Sequence, residues 1–308
     1  MERPTPGRHR AADEPKERRR RNWLAPLLVL IGIVVMAYPV VGTYFHNVQQ
    51  VEVAENYRAT TSTGVDYGPI IEAARHYNET STGGPILDPW LARVSKDNAP
   101  YQDYLSQLAP NGPGKPMSVL AIPSINSTLP IYHGTDPDTL THGVGHLYGS
   151  ALPIGTVGSR TILTGHTGMT NATLFDNLVD VKTGDRMYMA TFGLNLAYEV
   201  DDIQIVLPDE INTVQPIAGE DLLTLVTCTP YGINSHRLIV TGHRIEVPVE
   251  EQQEAFQTVT LWQWWMWIAV GVAAFAILVL LLGWLAALLR RRRRDDDSAD
   301  PLSGSPAL

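Results

Sequence analysis

Two uncharged apolar stretches constrain this chain more than any other feature. The first, WLAPLLVLIGIVVMAYPVVGTYF, runs from Trp23 to Phe45. The second, WQWWMWIAVGVAAFAILVLLLGWLAALL, runs from Trp262 to Leu289. Each exceeds the roughly 20 apolar residues that cross a bilayer. Trp262, Trp264, Trp265 and Trp267 read as an interfacial aromatic belt. Arg18 to Arg21 precede the first stretch, and Arg290 to Arg294 follow the second. Lys/Arg excess marks the cytoplasmic side, so both termini are expected inside the cell and residues 46–261 outside, with the lipid bilayer as a partner. The triplet Val35-Met36-Ala37 keeps a cleaved signal peptide open as an alternative for the first span.

The basic residues are concentrated in these flanks. Of 23 Lys/Arg, eight lie in residues 1–22 and five at 290–294; the ten that remain face 24 Asp/Glu. An acidic middle argues against nucleic acid as a partner. The layout expected is a basic cytoplasmic N-terminus (1–22), a transmembrane helix (23–45), a helical stalk with loops (46–114), a β-rich domain (115–249), a linker (250–261), a second transmembrane helix (262–289) and a basic tail without fixed structure (290–308). Val48, Val51 and Tyr57, then Ile70, Ile71, Ala74 and Tyr77, supply the helical periodicity of the stalk. APYQDYLSQLAP predicts a further short helix. Beyond Lys115 the texture changes to MSVLAIP, LPIYHG, RTILTGHT, RMYMATF, LAYEVDDIQIV, LLTLVTC and RLIVTGHRIEV, split by Gly, Pro, Asn and Asp. Short strands at this spacing with little helix between predict an antiparallel barrel or sandwich.

The sole cysteine, Cys228, ends the strand-like run LLTLVTC. Structural cysteines outside the membrane come in pairs, so Cys228 is a buried small hydrophobe, an intermolecular link or a reactive thiol. The loop TPYGINSH and the run RLIVTGH follow it. In such a hairpin Cys228 and Arg237 flank one end of the sheet, and a guanidinium there favours thiolate over thiol and can hold an oxyanion. A cysteine hydrolase or transferase also needs a proton-handling partner. His133, His142, His146, His166, His236 and His243 are the candidates; His166 ends TILTGH between two glycines. His142 and His146 have an H-x-x-x-H spacing, but the intervening Gly143-Val144-Gly145 disfavours the helix a metal pair would need.

TLVTCTPYGINSHRLIVTGHR resembles the active-site signature of sortases, in which a Thr-Leu-x-Thr-Cys run is followed by an arginine on the next strand. SVLAIPSINSTLPIYHGT and GVGHLYGSALPIGTVGSRTILTGHTGM resemble the first strands and the catalytic-histidine strand of that family. The form of the cysteine segment and the two spans are most similar to class C, the pilus-assembling subfamily. The resemblance implies a mainly β, eight-stranded barrel carrying a stalk, a lid and two transmembrane helices. It implies Cys228 as nucleophile, His166 as acid/base partner and Arg237 as oxyanion or substrate stabiliser. LDPW resembles the class C lid motif, which implies Asp88, Pro89 and Trp90 as a lid over the site. The implied reaction is transpeptidation. Its substrates are pilin or surface proteins bearing a Leu-Pro-x-Thr-Gly-like signal, its acyl acceptor is a pilin lysine, and neither metal nor organic cofactor takes part. A housekeeping-type sortase that attaches proteins to the cell wall, and a non-enzymatic membrane-anchored binding module, are the competing readings. A papain-like protease does not fit, because the histidine here precedes the cysteine.

Overall fold

The structure is a computed structural model that describes residues 24–62, 64–81, 98–112, 114–257, 259 and 261–298. The chain divides into two compact units. One consists of the chain ends, up to Val40 and from Gln263 onward; the other is Val41–Trp262. Two helices have the length and apolarity to cross a membrane: α1 (Leu24–Thr61), which starts in the first unit and runs into the second, and the last helix of the chain (Trp264–Ser298). Their most apolar windows have mean hydropathy 2.5 and 2.8, with only 6% and 0% of those windows buried. A core helix of a soluble protein would bury such a surface. Left bare, it needs an apolar solvent, which is compatible with membrane anchoring.

The second unit is a β-barrel. Its strands are β1 (Ser118–Ile122), β2 (Ser127–His133), β3 (Val144–His146), β4 (Ser159–Thr164), β5 (Arg186–Thr191), β6 (Leu194–Val206), β7 (Asp221–Thr229) and β8 (His236–Ile245). They close in the order β1-β2-β3-β4-β7-β8-β6-β5. Most neighbours are antiparallel, while β2–β3 and β4–β7 are parallel. Period-2 patterning sorts the two faces. Leu223, Leu225, Leu163, Leu238 and Val240 join the barrel core, while Ile162, Val226 and Ile239 form a separate outer cluster with Leu147 and Val214.

Helices clamp the barrel from outside. The C-terminal half of α1 lies on it through Tyr57, whose hydroxyl donates to Met117 O at 2.8 Å and accepts from Phe192 N at 3.0 Å. The helix α2 (Gly68–Ser81) is tied down by Asn78, whose amide exchanges two bonds with the Leu152 backbone, at 2.7 and 3.2 Å. The helix α3 (Ala99–Ser106) starts at the cap Asn98 and buries Tyr101 and Tyr104, three residues apart on one face. Tyr104 OH donates to His146 O at 2.9 Å, meets His146 Nδ1 at 3.0 Å and accepts from Gly134 N at 2.9 Å. The short helices α4 (Pro137–His142) and α5 (Val249–Ala255) complete the unit, and the C-terminal helix is α6.

Three differences from the sequence reading have physical causes. The expected stalk is two helices, and the first is continuous with the apolar span despite Pro39. Residues 250–261, expected as a linker, begin with α5, whose first turn carries Glu250 and Glu251, acids that suit a helix N-terminus. The eighth strand, β3, escaped notice because Val144-Gly145-His146 has three residues and no alternating pattern.

Candidate active site

The site positions are set by the ladder of three adjacent strands. In the β7–β8 hairpin, Cys228 is the register partner of Arg237, and cross-strand partners hold their side chains on one face about 5 Å apart. On the other flank of β7, the parallel β4 pairs Thr164 with Val226. Gly165 N continues that ladder by donating to Val226 O at 3.2 Å. Extending the register by two residue pairs past the end of β4 sets His166 opposite Cys228. Cys228 and Arg237 therefore sit side by side on β7 and β8, and His166, two residues beyond the end of β4, falls in register with them on the outer face of the barrel, the face of Ile162, Val226 and Ile239.

The segment around His166 is closely tied. Thr227, the neighbour of Cys228, points to the opposite face and donates to Gly165 O at 2.8 Å and to Thr167 Oγ1 at 3.1 Å. His166 O accepts from Phe175 N at 3.1 Å, and Thr167 Oγ1 donates to Phe175 O at 3.0 Å. Gly165 has to be glycine, since a Cβ there would lie 2.7 Å from the Phe175 ring. Gly168, at φ +83°, donates its N–H to Asp176 Oδ1 at 2.7 Å. Burial pushes the Asp176 carboxyl up to about 6, against the pull of that N–H.

Cys228 and Arg237 are nearly buried, 8% and 7% exposed, and His166 is half-buried. Burial lowers the His166 pKa below the usual histidine value, which favours the neutral imidazole. Arg237 Nη1 points back along its own hairpin and donates to Asn234 O at 3.4 Å and His236 O at 3.3 Å. The connection from β6 to β7 roofs the same face further along the strands. Val214 packs on the outer cluster, and Arg160 Nε donates to Gln215 O at 2.8 Å. Thr164, Val226 and Ile239 are almost fully buried on this face. Thr164 Oγ1 is buried there with no hydrogen-bond partner among the described residues.

A thiol, an imidazole and a guanidinium in this order can perform acyl transfer. The thiol supplies the nucleophile, the imidazole moves protons, and the guanidinium faces the developing oxyanion. Of the other candidate histidines, His236 flanks the site as the partner of Thr229, and the rest lie elsewhere. His146 is buried under Tyr104, and His133 Nε2 meets Gln107 O at 2.7 Å. His142 Nδ1 sits 2.8 Å from Asp138 O, His243 pairs with Asp201 at 3.0 Å, and His236 Nδ1 meets Ser235 Oγ at 2.8 Å. His142 and His146 thus stand on different elements, and no group of three metal-binding side chains occurs among the described residues. Asp88, Pro89 and Trp90 lie outside the described residues. Sequence reading missed Thr227 as the tie between the segments of Cys228 and His166, and Arg160 as a buried cation bonded to Thr224 and Thr241. Neither has a motif of its own, since each depends on which strands become neighbours.

A sortase domain family model matches residues 120–245. Sortase D of Bacillus subtilis (strain 168) is 31% identical over 135 residues, which are 43% of this chain and 65% of that protein. The crystal structure of sortase C-1 from Actinomyces oris is 48% identical, with a TM-score of 0.56 over 58% of this chain and 98% of that one. Sortase C of Streptococcus pneumoniae is 34% identical, with a TM-score of 0.58 over 64% of this chain and 98% of that one. The chain belongs to the sortase family, and its solved neighbours include class C members.

Proposed function

We propose that this sortase-family chain is a membrane-anchored cysteine transpeptidase of class C that links pilin subunits. The observation that carries the reading is the pairing of Cys228 with Arg237 across β7 and β8, beside the β4 end that leads into His166. Similarity to Sortase C of Streptococcus pneumoniae, whose description refers to pilin substrate specificity, supports the substrate class.

The chemistry follows from the three side chains. The Cys228 thiol passes its proton to His166, the resulting thiolate attacks the threonine carbonyl of a Leu-Pro-x-Thr-Gly-like signal, and Arg237 donates hydrogen bonds to the oxyanion. The C–N bond to glycine breaks, and His166 protonates the departing amine. A thioester on Cys228 remains. A lysine Nζ of the next pilin then attacks the same carbonyl, the C–S bond breaks, and the proton lost by the amine passes to His166. The half-buried, neutral-leaning imidazole suits that last step, because a base is needed when the amine attacks. Arginine suits its role because its planar fork presents parallel donors and its charge is permanent.

Within the same reading, Asp88, Pro89 and Trp90 form a lid in which Asp88 imitates a bound anion against Arg237 and Trp90 shields the thiol. The spans hold the barrel outside the cell with both termini in the cytoplasm. The test uses the full chain in detergent with a sorting-signal peptide and a lysine-bearing acceptor. The parent forms the ligated product and Cys228→Ala forms none. Ligation by the alanine variant overturns the assignment.

A further inference from the structure

We propose that the open edge of β6 from Asp201 to Val206 is the docking strand for the acyl acceptor, an extended lysine-bearing segment that adds to the barrel as a further strand. The inference rests on the transpeptidase reading and goes beyond it by naming the acceptor's surface.

The edge is a property of unequal strand lengths. β6 has 13 residues, but β5 covers only Leu194–Glu199, while β8 covers Ala197–Val206. Beyond the irregularity between Val200 and Asp202, the strand pairs on one side only among the described residues. Residues Asp201 to Ile205 are all exposed. Ile203 and Ile205 stand opposite Val240 and Leu238, both members of the barrel core, yet they are 36% and 63% exposed, and Leu207 is 45% exposed. Core-facing positions are thus left bare where the sheet stops. An open apolar edge invites pairing, and proteins blunt such edges with lysine, proline or a covering segment. The run DDIQIVL has neither lysine nor proline. Peptide-binding domains use edges of this kind, with main-chain bonds giving affinity and alternate side chains giving selectivity.

Charge and position select the occupant. Asp201 and Asp202 lie on the edge, and Asp209 and Glu210 follow it, all acidic. The nearby basic side chains are His243, which pairs with Asp201, Arg160 behind the strand and Arg237 opposite Val206. The balance is acidic and favours a lysine-bearing segment over an acidic one. The edge is also close to the chemistry. Val206 is the partner of Arg237, which is the partner of Cys228. A strand added to β6 would lie about 14 Å from the Cys228 backbone, three spacings of roughly 4.8 Å. That exceeds the reach of a lysine inside the added strand. The reactive lysine therefore lies a residue or two past the Val206 end, where the acceptor chain turns across the start of β8.

The test separates docking from acylation. The full chain in detergent is first converted to its acyl-enzyme with a sorting-signal peptide. Three acceptors then compete: a peptide of alternating valine and threonine ending in lysine, the same peptide N-methylated at every second backbone nitrogen, and N-acetyl-lysine methylamide. The strand-forming peptide should exceed the methylamide in kcat/KM by about tenfold, the equivalent of one net hydrogen bond. N-methylation should remove the advantage. Ile205→Lys and Asp202→Lys should each remove it too, with acylation and transfer to the methylamide unchanged. The proposal is overturned if the N-methylated peptide matches its parent or if both variants keep the preference. A concentration-dependent dimer that Ile205→Lys abolishes, with acceptor preference intact, would assign the edge to a second copy and equally overturn it. Absence of any acyl-enzyme in the parent overturns the transpeptidase reading itself, and the docking strand with it.

Discussion

Thr227→Val tests how the barrel holds its acid/base group. Thr227 is 1% exposed, and its hydroxyl bonds to Gly165 O and Thr167 Oγ1, on either side of His166. Valine has nearly the same shape, so packing is kept and only the tie is lost. One hydrogen bond contributes about 0.5–1.5 kcal/mol net, and a buried acceptor left unpaired costs about 1–3 kcal/mol. Gly165 O loses its side-chain donor while the Gly165 N ladder bond survives, so about 2 kcal/mol is expected. For a unit of this size, that lowers Tm by ~4–8 °C. The larger effect is on rate. A displacement of about 1 Å can cost on the order of 100-fold, so kcat for peptide cleavage should fall ~10–100-fold with KM little changed. Thr227→Ser keeps the hydroxyl and should restore most of the rate. Calorimetry and chromatographic assay of cleaved peptide read the two effects. A valine variant that melts as expected but keeps kcat within twofold of the parent refutes the positioning role.

Other expected outcomes are independent of this tie. Tyr104→Phe takes the hydroxyl from the buried His146 Nδ1, while Gly134 N and His146 O keep their bond to each other at 3.1 Å, and should cost ~1–3 kcal/mol in urea unfolding; a loss below about 0.5 kcal/mol would contradict that network. Burial depresses His133 and His146 to about 4, so both are favoured neutral; their stability is fully present above the ordinary histidine value of about 6.5 and is lost as pH falls toward 4, on the order of 3 kcal/mol for one such group. A unit equally stable at pH 7 and pH 4.5 would refute it. Arg237→Lys keeps a cation but loses the planar fork, so cleavage should fall more than about tenfold with folding intact; near-parent activity would remove Arg237 from the chemistry. Asp88→Ala with Trp90→Ala should speed thiol labelling of Cys228 and lower Tm; equal labelling rates would dismiss the lid.

What the sequence made legible was local. The apolar spans are continuous and uncharged, so length alone reveals them. Strands such as LLTLVTC and RLIVTGHRIEV carry long β-branched and leucine runs, and the loop between them brings Cys228 back to Arg237 as expected. Less legible were features that depend on which strands become neighbours. The segment of His166 comes beside that of Cys228 only because β4 and β7, far apart in sequence, pair in parallel. The role of His146 was also hidden. A histidine between glycine and leucine looks like a loop residue, yet burial beneath Tyr104 makes it a structural bond partner. The bare edge of β6 could not be read from LAYEVDDIQIV, since exposure there comes from the shortness of β5 rather than from β6 itself.

The central claim is that Cys228 carries an acyl group in a thioester. Intact-mass spectrometry of the full chain, mixed with a Leu-Pro-x-Thr-Gly-like peptide and quenched in acid, tests it directly. The account predicts an adduct of the peptide minus its glycine-side fragment, mapped to Cys228, released by a lysine amine and absent from Cys228→Ala. An unmodified Cys228 after peptide cleavage, or the same adduct on the alanine variant, would contradict it.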